Sequence, residues 1–296
     1  MFRFLIAIVL WIVMPLRTWC CDICACNSSM QLAGLSQLVR QSSLSCSFAR
    51  ANYRSNHEAG VFDAFNTMTL QGSYLISQQF KIELLIPYLA NIRTAPGANV
   101  EKYGLGDIQF MTHWLWKKEL SSSSEWMLNS DMSMGIKIPS GKFGGTLAVT
   151  GLPDNIHVGN GHYAYVLSPG LGVSNQHWGC WLSSNYLYNF KKTNSYRFGN
   201  QFNLQGLIYW KSNREKSIRI APAMGMVYER SDNNQSISGF EVAETGGWGV
   251  LLPLVVSVQW NDLMFQSSYS IPLHQNYAGG GSELNAKWNL QLSIFL

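Results

Sequence analysis

The most constraining feature of the chain is an alternation with a period of two. Between 126 and 138, Trp126, Leu128, Met132, Met134, Ile136 and Ile138 take even positions, with Asn129, Asp131, Ser133 and Lys137 between them. This is an extended strand with one apolar and one polar face. The end of the chain repeats it, Trp288, Leu290, Leu292, Ile294 and Leu296 alternating with Asn289, Gln291 and Ser293. Such a strand turns its apolar face to a protein core or to lipid, and the rest of the chain decides which.

The N-terminus fixes the compartment. Met1-Phe2-Arg3 is a short basic start, Phe4 to Leu16 is almost wholly apolar, and Thr18-Trp19-Cys20 ends in a tolerable cleavage site. This is the anatomy of a secretory signal peptide. Its apolar run of about 13 residues is short of the roughly 20 that a spanning helix needs. Cleavage is expected between Cys20 and Cys21, and acylation of Cys21 suits the bulky Trp19 and Cys20 less well. The expected organisation is a signal peptide over 1–20, a periplasmic N-terminal segment over 21–43 and one barrel domain over 44–296.

No later stretch is apolar and long enough to span a membrane as a helix, so insertion must use strands. Charged residues are only 13% of the chain, against roughly a quarter in soluble domains, while aromatics also reach 13% and glycine 26 residues. The net charge of +4 includes Arg3 and Arg17 of the leader. No basic tract is present, which argues against a nucleic-acid partner.

Candidate strands fall at 44–53, 66–76, 79–92, 106–118, 125–138, 162–175, 179–191, 196–210, 217–229, 247–260, 262–273 and 286–296. The expected fold is therefore all-β, a transmembrane antiparallel up-and-down barrel of about twelve strands, even-numbered as single-chain bacterial barrels are. A soluble sandwich shares the alternation, but these strands approach the membrane-spanning length of about 9 to 11 residues rather than the usual 5 to 6. Trp114, Trp116, Trp126, Trp181, Tyr188, Trp210, Tyr228 and Trp260 lie near strand ends and suit interfacial girdles. The longest break, 140–161, reads as an extracellular loop. The polar faces place Glu83, His113, Asp131, Lys137, Arg219 and Glu229 toward the lumen as candidate selectivity residues.

Several motifs carry a resemblance. Gly104-Leu105-Gly106-Asp107-Ile108 opens a strand, Gly135-Ile136-Lys137-Ile138-Pro139-Ser140-Gly141-Lys142 closes the next, and Leu152-Pro153 through Gly159-Asn160-Gly161 follows. The chain resembles the outer-membrane barrels grouped as phenol-degradation (MetA-pathway) transporter-like proteins over most of its mature length. Cys21-Asp22-Ile23-Cys24-Ala25-Cys26, with Ile86-Pro87-Tyr88, is similar to a Gram-negative subgroup with a Cys-Asp-x-Cys-x-Cys start, labelled transporter. Ala25 stands where that subgroup commonly has Gly, and the chain ends on Leu296 with Phe295 one position early. The resemblance implies passage or binding of small, hydrophobic or aromatic solutes across the outer membrane. Gly104, Gly106, Asp107, Pro139 and Gly141 also have a structural reading, glycines in a tight turn with Asp107 bonding local backbone.

The expected partners are outer-membrane lipid, a small solute and the barrel-assembly machinery, with the oligomeric state open. Cys21, Cys24, Cys26 and Cys46 enter an oxidising compartment, where a disulfide is the plainer reading. The spacing is incomplete for a closed zinc site, so no cofactor is assigned, though thiolates suit a soft metal such as copper, or thiol redox chemistry, on a structural barrel. Cys180 reads as lying in a turn. An outer-membrane lipid hydrolase using His157 or His162 near Asp154 is a further alternative, but no Gly-x-Ser-x-Gly elbow is present and an enzyme is not expected.

Overall fold

In the computed structural model, residues 40–120, 125–143, 156–190, 196–212 and 217–296 are described. Among them thirteen strands form one antiparallel sheet: β1 (Ser43–Ser55), β2 (Phe62–Leu75), β3 (Phe80–Ala95), β4 (Ala98–Leu105), β5 (Ile108–Glu119), β6 (Met127–Ile138), β7 (Ala164–Ser174), β8 (Trp178–Asn189), β9 (Gln201–Trp210), β10 (Ile218–Ser231), β11 (Gly247–Trp260), β12 (Leu263–Tyr277) and β13 (Ser282–Phe295). Apart from β4 and β5, each strand pairs with its neighbours in sequence, and β1 pairs with β13, Ser43 opposite Phe295 and Tyr53 opposite Leu284. That last pairing closes the sheet. β3 lies along β4 through its second half and along β5 through its first, so β4 and β5 share one stave. The result is a closed twelve-stave barrel.

Its faces are inverted relative to a soluble protein. On β13, Leu290, Leu292 and Ile294 are exposed on the outside, while Asn289, Gln291 and Ser293 are buried within. The same holds on β6, with Met132 and Met134 outside and Asp131 and Ser133 inside. An apolar outer belt around a polar interior is the architecture of a transmembrane barrel. Trp114, Trp116, Trp126, Tyr188, Trp210 and Trp260 are exposed on that belt as the girdle reading requires. Trp181 departs from it. It points inward, 2% exposed, against Tyr209, Ala223 and Val255. Its room comes from β7, where a Cβ at Gly170 or Gly172 would stand 2.3 or 2.5 Å from the indole.

The two ends differ. At the end holding Ser43 and Phe295 the connections are mostly tight, over 76–79, 120–126, 175–177, 211–217 and 261–262. At the other end 139–163, 190–200 and 232–246 are long. Short periplasmic turns and long outer loops orient barrels of this kind, so the end holding Ser43 and Phe295 is the periplasmic rim.

The expected strands agree with the observed staves one for one, with three corrections. The stave expected at 106–118 begins at Ala98, because β4 continues it beyond the break at 106–107. The alternation is lost there, so the strand pattern ends early. Cys180 lies inside β8, on its outward face, not in a turn. β12 and β13 run on to Tyr277 and from Ser282, since the Gly279-Gly280-Gly281 break needs only a tight turn, with Gly279 at φ 62° and Gly280 at φ 93°.

The lumen and its inward-packed loop

The alternation that builds each strand also decides which side chains meet inside. On β3, Lys81 and Glu83 face inward, and on β5 His113 sits opposite Lys81 in the ladder. On β6 Asp131 faces the same space. His113 is 3% exposed and lies between two carboxylates, its Nδ1 3.0 Å from Asp131 Oδ2 and its Nε2 3.6 Å from Glu83 Oε2. Arg40, just ahead of β1, is close enough to feel the Asp131 charge, which opposes the lowering of its pKa by burial.

Three further pairs line the interior. Arg93 donates through Nε and Nη2 to the two oxygens of Asp63, both at 2.7 Å and both partners buried. Lys287 donates at 2.6 Å to Glu229, which also accepts from the Tyr277 hydroxyl. Lys137 lies 3.4 Å from Asp107. Pairing is what makes these charges tolerable in a narrow space, because an isolated buried charge costs several kcal/mol.

Asp107 has a second task. Its Oδ1 accepts from the Gly141 N–H at 3.1 Å and its Oδ2 from the Asn160 N–H at 2.9 Å. The acceptor is thus used across long sequence separations, which corrects the local-turn reading. Gly141 and Gly159 meet backbone to backbone, a Cβ on Gly141 standing 2.6 Å from Gly159 Cα. At Gly106 an added Cβ would meet the end of the Leu89 side chain at 2.3 Å, which can turn aside, and the Val158 carbonyl at 3.3 Å. Ser140, beside Pro139, donates to the Gly106 carbonyl at 2.8 Å and accepts from the Ile108 N–H at 2.9 Å.

The loop expected to be extracellular lies at the outer end, and its described part packs inward against the wall. Asn91, 1% exposed on β3, donates to the Ile156 and His157 carbonyls at 3.2 and 3.3 Å. Ile156 and Val158 are buried. Phe143 packs on His157 at 4.9 Å and edge-on to Phe198 at 5.6 Å, with His162 and Tyr196 beside it. His162 Nε2 contacts the Tyr196 carbonyl. Burial, and then the nearby Lys102, push the His157 pKa down.

Below these groups, at the periplasmic mouth, is an open cavity of about 540 Å³. Arg219, Lys211, Lys117 and Glu125 stand at its edge, and Tyr209 and Ser257 line it. The six candidate lumen residues thus divide: Glu83, His113 and Asp131 come together, Lys137 and Glu229 belong to two other ion pairs, and Arg219 stands exposed in the vestibule. Asp63, Arg93, Asn91, Trp181 and Tyr209 were not among the expected lumen residues. Asp63 and Arg93 lie just beyond the expected strand ends, and the signal for Trp181 was the pair of small residues at Gly170 and Gly172 on the facing strand.

Cys46 has no disulfide partner among the described residues and stands on β1 in outward register with Leu44 and Phe48. Cys21, Cys24 and Cys26, the leader and Asp154 lie outside the described residues. Among the described residues no group of three or more His, Cys, Asp or Glu side chains could hold a metal ion.

No protein-family model matches the chain, and no curated protein matches it. Solved structures do. The chain is similar to an outer membrane channel from Pseudomonas putida F1, at 11% identity and a TM-score of 0.65, over 87% of this chain and 96% of that one. It is also similar to the beta domain of the Bordetella autotransporter Brka, at 9% identity and a TM-score of 0.51, over 87% and 100%. These likenesses are of fold: both relatives and this chain share the closed membrane-type barrel.

Proposed function

We propose that the protein is an outer-membrane channel, or transporter-like barrel, for passive passage or binding of small solutes in a Gram-negative bacterium. The observation that carries this reading is the interior, where an open cavity of about 540 Å³ at one mouth and buried ion pairs toward both ends lie inside a lipid-facing wall. A lumen lined by acidic and basic side chains selects by charge and size rather than by catalysis. Such an interior supports selective passage of small molecules, including the hydrophobic or aromatic solutes that the family resemblance implies. Barrel-assembly machinery would insert the chain, a role that β13 supports with its apolar outward face.

The non-enzymatic reading is supported by the engagement of the two candidate histidines, His157 packed on Phe143 and His162 held at the Tyr196 carbonyl.

The test is single-channel conductance of the refolded mature chain in a planar bilayer. Stable steps are expected, with cation–anion selectivity that changes when Asp131→Asn and Arg219→Gln are combined. A folded barrel that never conducts and takes up no solute would overturn the channel reading, and unchanged selectivity would remove those two residues from it.

A further inference from the structure

We propose that the outer wall across β9, β10 and β11 carries a docking site for the phosphorylated headgroup of an outer-leaflet glycolipid. The proposal rests on the outer-membrane reading above and concerns the lipid side of the wall, not the lumen.

Its centre is Arg230. In the ladder it stands opposite Phe202 on one side and Trp248 on the other, and its side chain is 62% exposed on the outward face. A guanidinium deep in the apolar belt would cost about 2–4 kcal/mol, falling toward zero near the interface. Arg230 is placed where that cost vanishes, one residue before β10 ends at the loop-rich rim. Its contact with Asp232 is 3.8 Å and exposed, which leaves its donors available. Below it on the same face lie Tyr228, Met226 and Met224, an apolar stripe of the kind that acyl chains cover.

Above it the wall opens into a recess of about 520 Å³ lined by Arg197, Asn200, Asp232, Asn233 and Glu241, so that two carboxylates stand beside the two guanidinium groups. Arg197 is already oriented, donating to the Asn189 carbonyl at 2.8 Å and to Asn200 at 3.1 Å and standing over the Tyr188 ring at 5.4 Å. Two guanidinium groups match a phosphate. The amides, the carboxylates and the exposed Trp248 indole match the hydroxyls and the flat face of a sugar. That combination favours a phosphorylated glycolipid over a phospholipid, whose headgroup has no sugar ring for the recess to hold.

The experiment is native mass spectrometry of the folded full mature chain exposed to lipid A, dephosphorylated lipid A and phosphatidylglycerol at equal concentration. One lipid A is expected to be retained about tenfold more than either other lipid, a difference of about 1.4 kcal/mol. Arg230→Glu should abolish that preference, while Lys118→Gln, a basic change at the opposite rim, should leave it intact. Equal retention of the three lipids by the wild type overturns the proposal without any variant, as does an Arg230→Glu barrel that keeps the preference. A chain whose gel mobility does not shift on heating fails the membrane-barrel reading itself, and the docking site with it.

Discussion

Asp107 shows how one carboxylate ties a loop to a wall. It accepts from the Gly141 and Asn160 amides and faces the Lys137 ammonium. Hydrogen bonds to a charged group contribute about 1.5–3 kcal/mol each, so Asp107→Ala should free the 156–160 segment. Amide exchange at Gly141 and Asn160 is expected to rise at least about tenfold, and unchanged exchange would show that the segment is held by packing alone. His157 gives the same segment a pH dependence. Burial lowers its pKa below the ordinary 6.5, so the undocked segment binds protons more readily than the docked one. Docking is therefore fully stable above about pH 6.5 and weakens as pH falls below it. Exchange of 156–160 should accelerate on acidification beyond the intrinsic rate, and His157→Gln should flatten that response. At this scale the sequence was partly legible. Strand phase put Glu83, His113 and Asp131 on the inward face, but their convergence depends on β3, β5 and β6 being adjacent, which no single strand records. The long-range role of Asp107 had no signal at all, because its partners are backbone amides distant in sequence.

Elements were the most legible level, because a period of two survives in almost every stave. β6 and β13 were visible from alternation alone and are built as expected. β4 was not, since its outward and inward residues, Ala98 to Leu105, mix charge and glycine without a clear phase. It exists because β3 extends past the belt and offers it a partner through Tyr88 to Ala95. Where β4 passes into β5, the wall accepts the loop only because glycines let backbones touch. Gly141→Ala would drive a methyl into Gly159, an atom of rigid backbone at 2.6 Å. Overpacking of that kind costs about 1–3 kcal/mol. The variant should lose its heat-sensitive gel mobility at a lower temperature than the wild type, while Gly72→Ala, with no atom within 4 Å of the added carbon, should not.

At the scale of the whole molecule the barrel divides every strand between two solvents. On β11, Val256 faces lipid and Gln259 faces the vestibule. Val256→Arg should destabilise the inserted barrel by up to about 2–4 kcal/mol, whereas Gln259→Arg should be nearly neutral for folding. Urea unfolding in lipid vesicles distinguishes them, and equal effects would contradict the assignment of faces. Closure has a different consequence, for the order of events in biogenesis. The first strand is completed by the last: Ser45 donates to Ser293 at 2.8 Å, 248 residues further along the chain. The seam cannot form before β13 is in place, so one edge of β1 stays unpaired until the rest of the wall is built. Contacts of such separation carry a large loop-closure entropy and form slowly. The strand made first therefore waits longest, and the barrel becomes leak-tight in a single late step rather than by degrees.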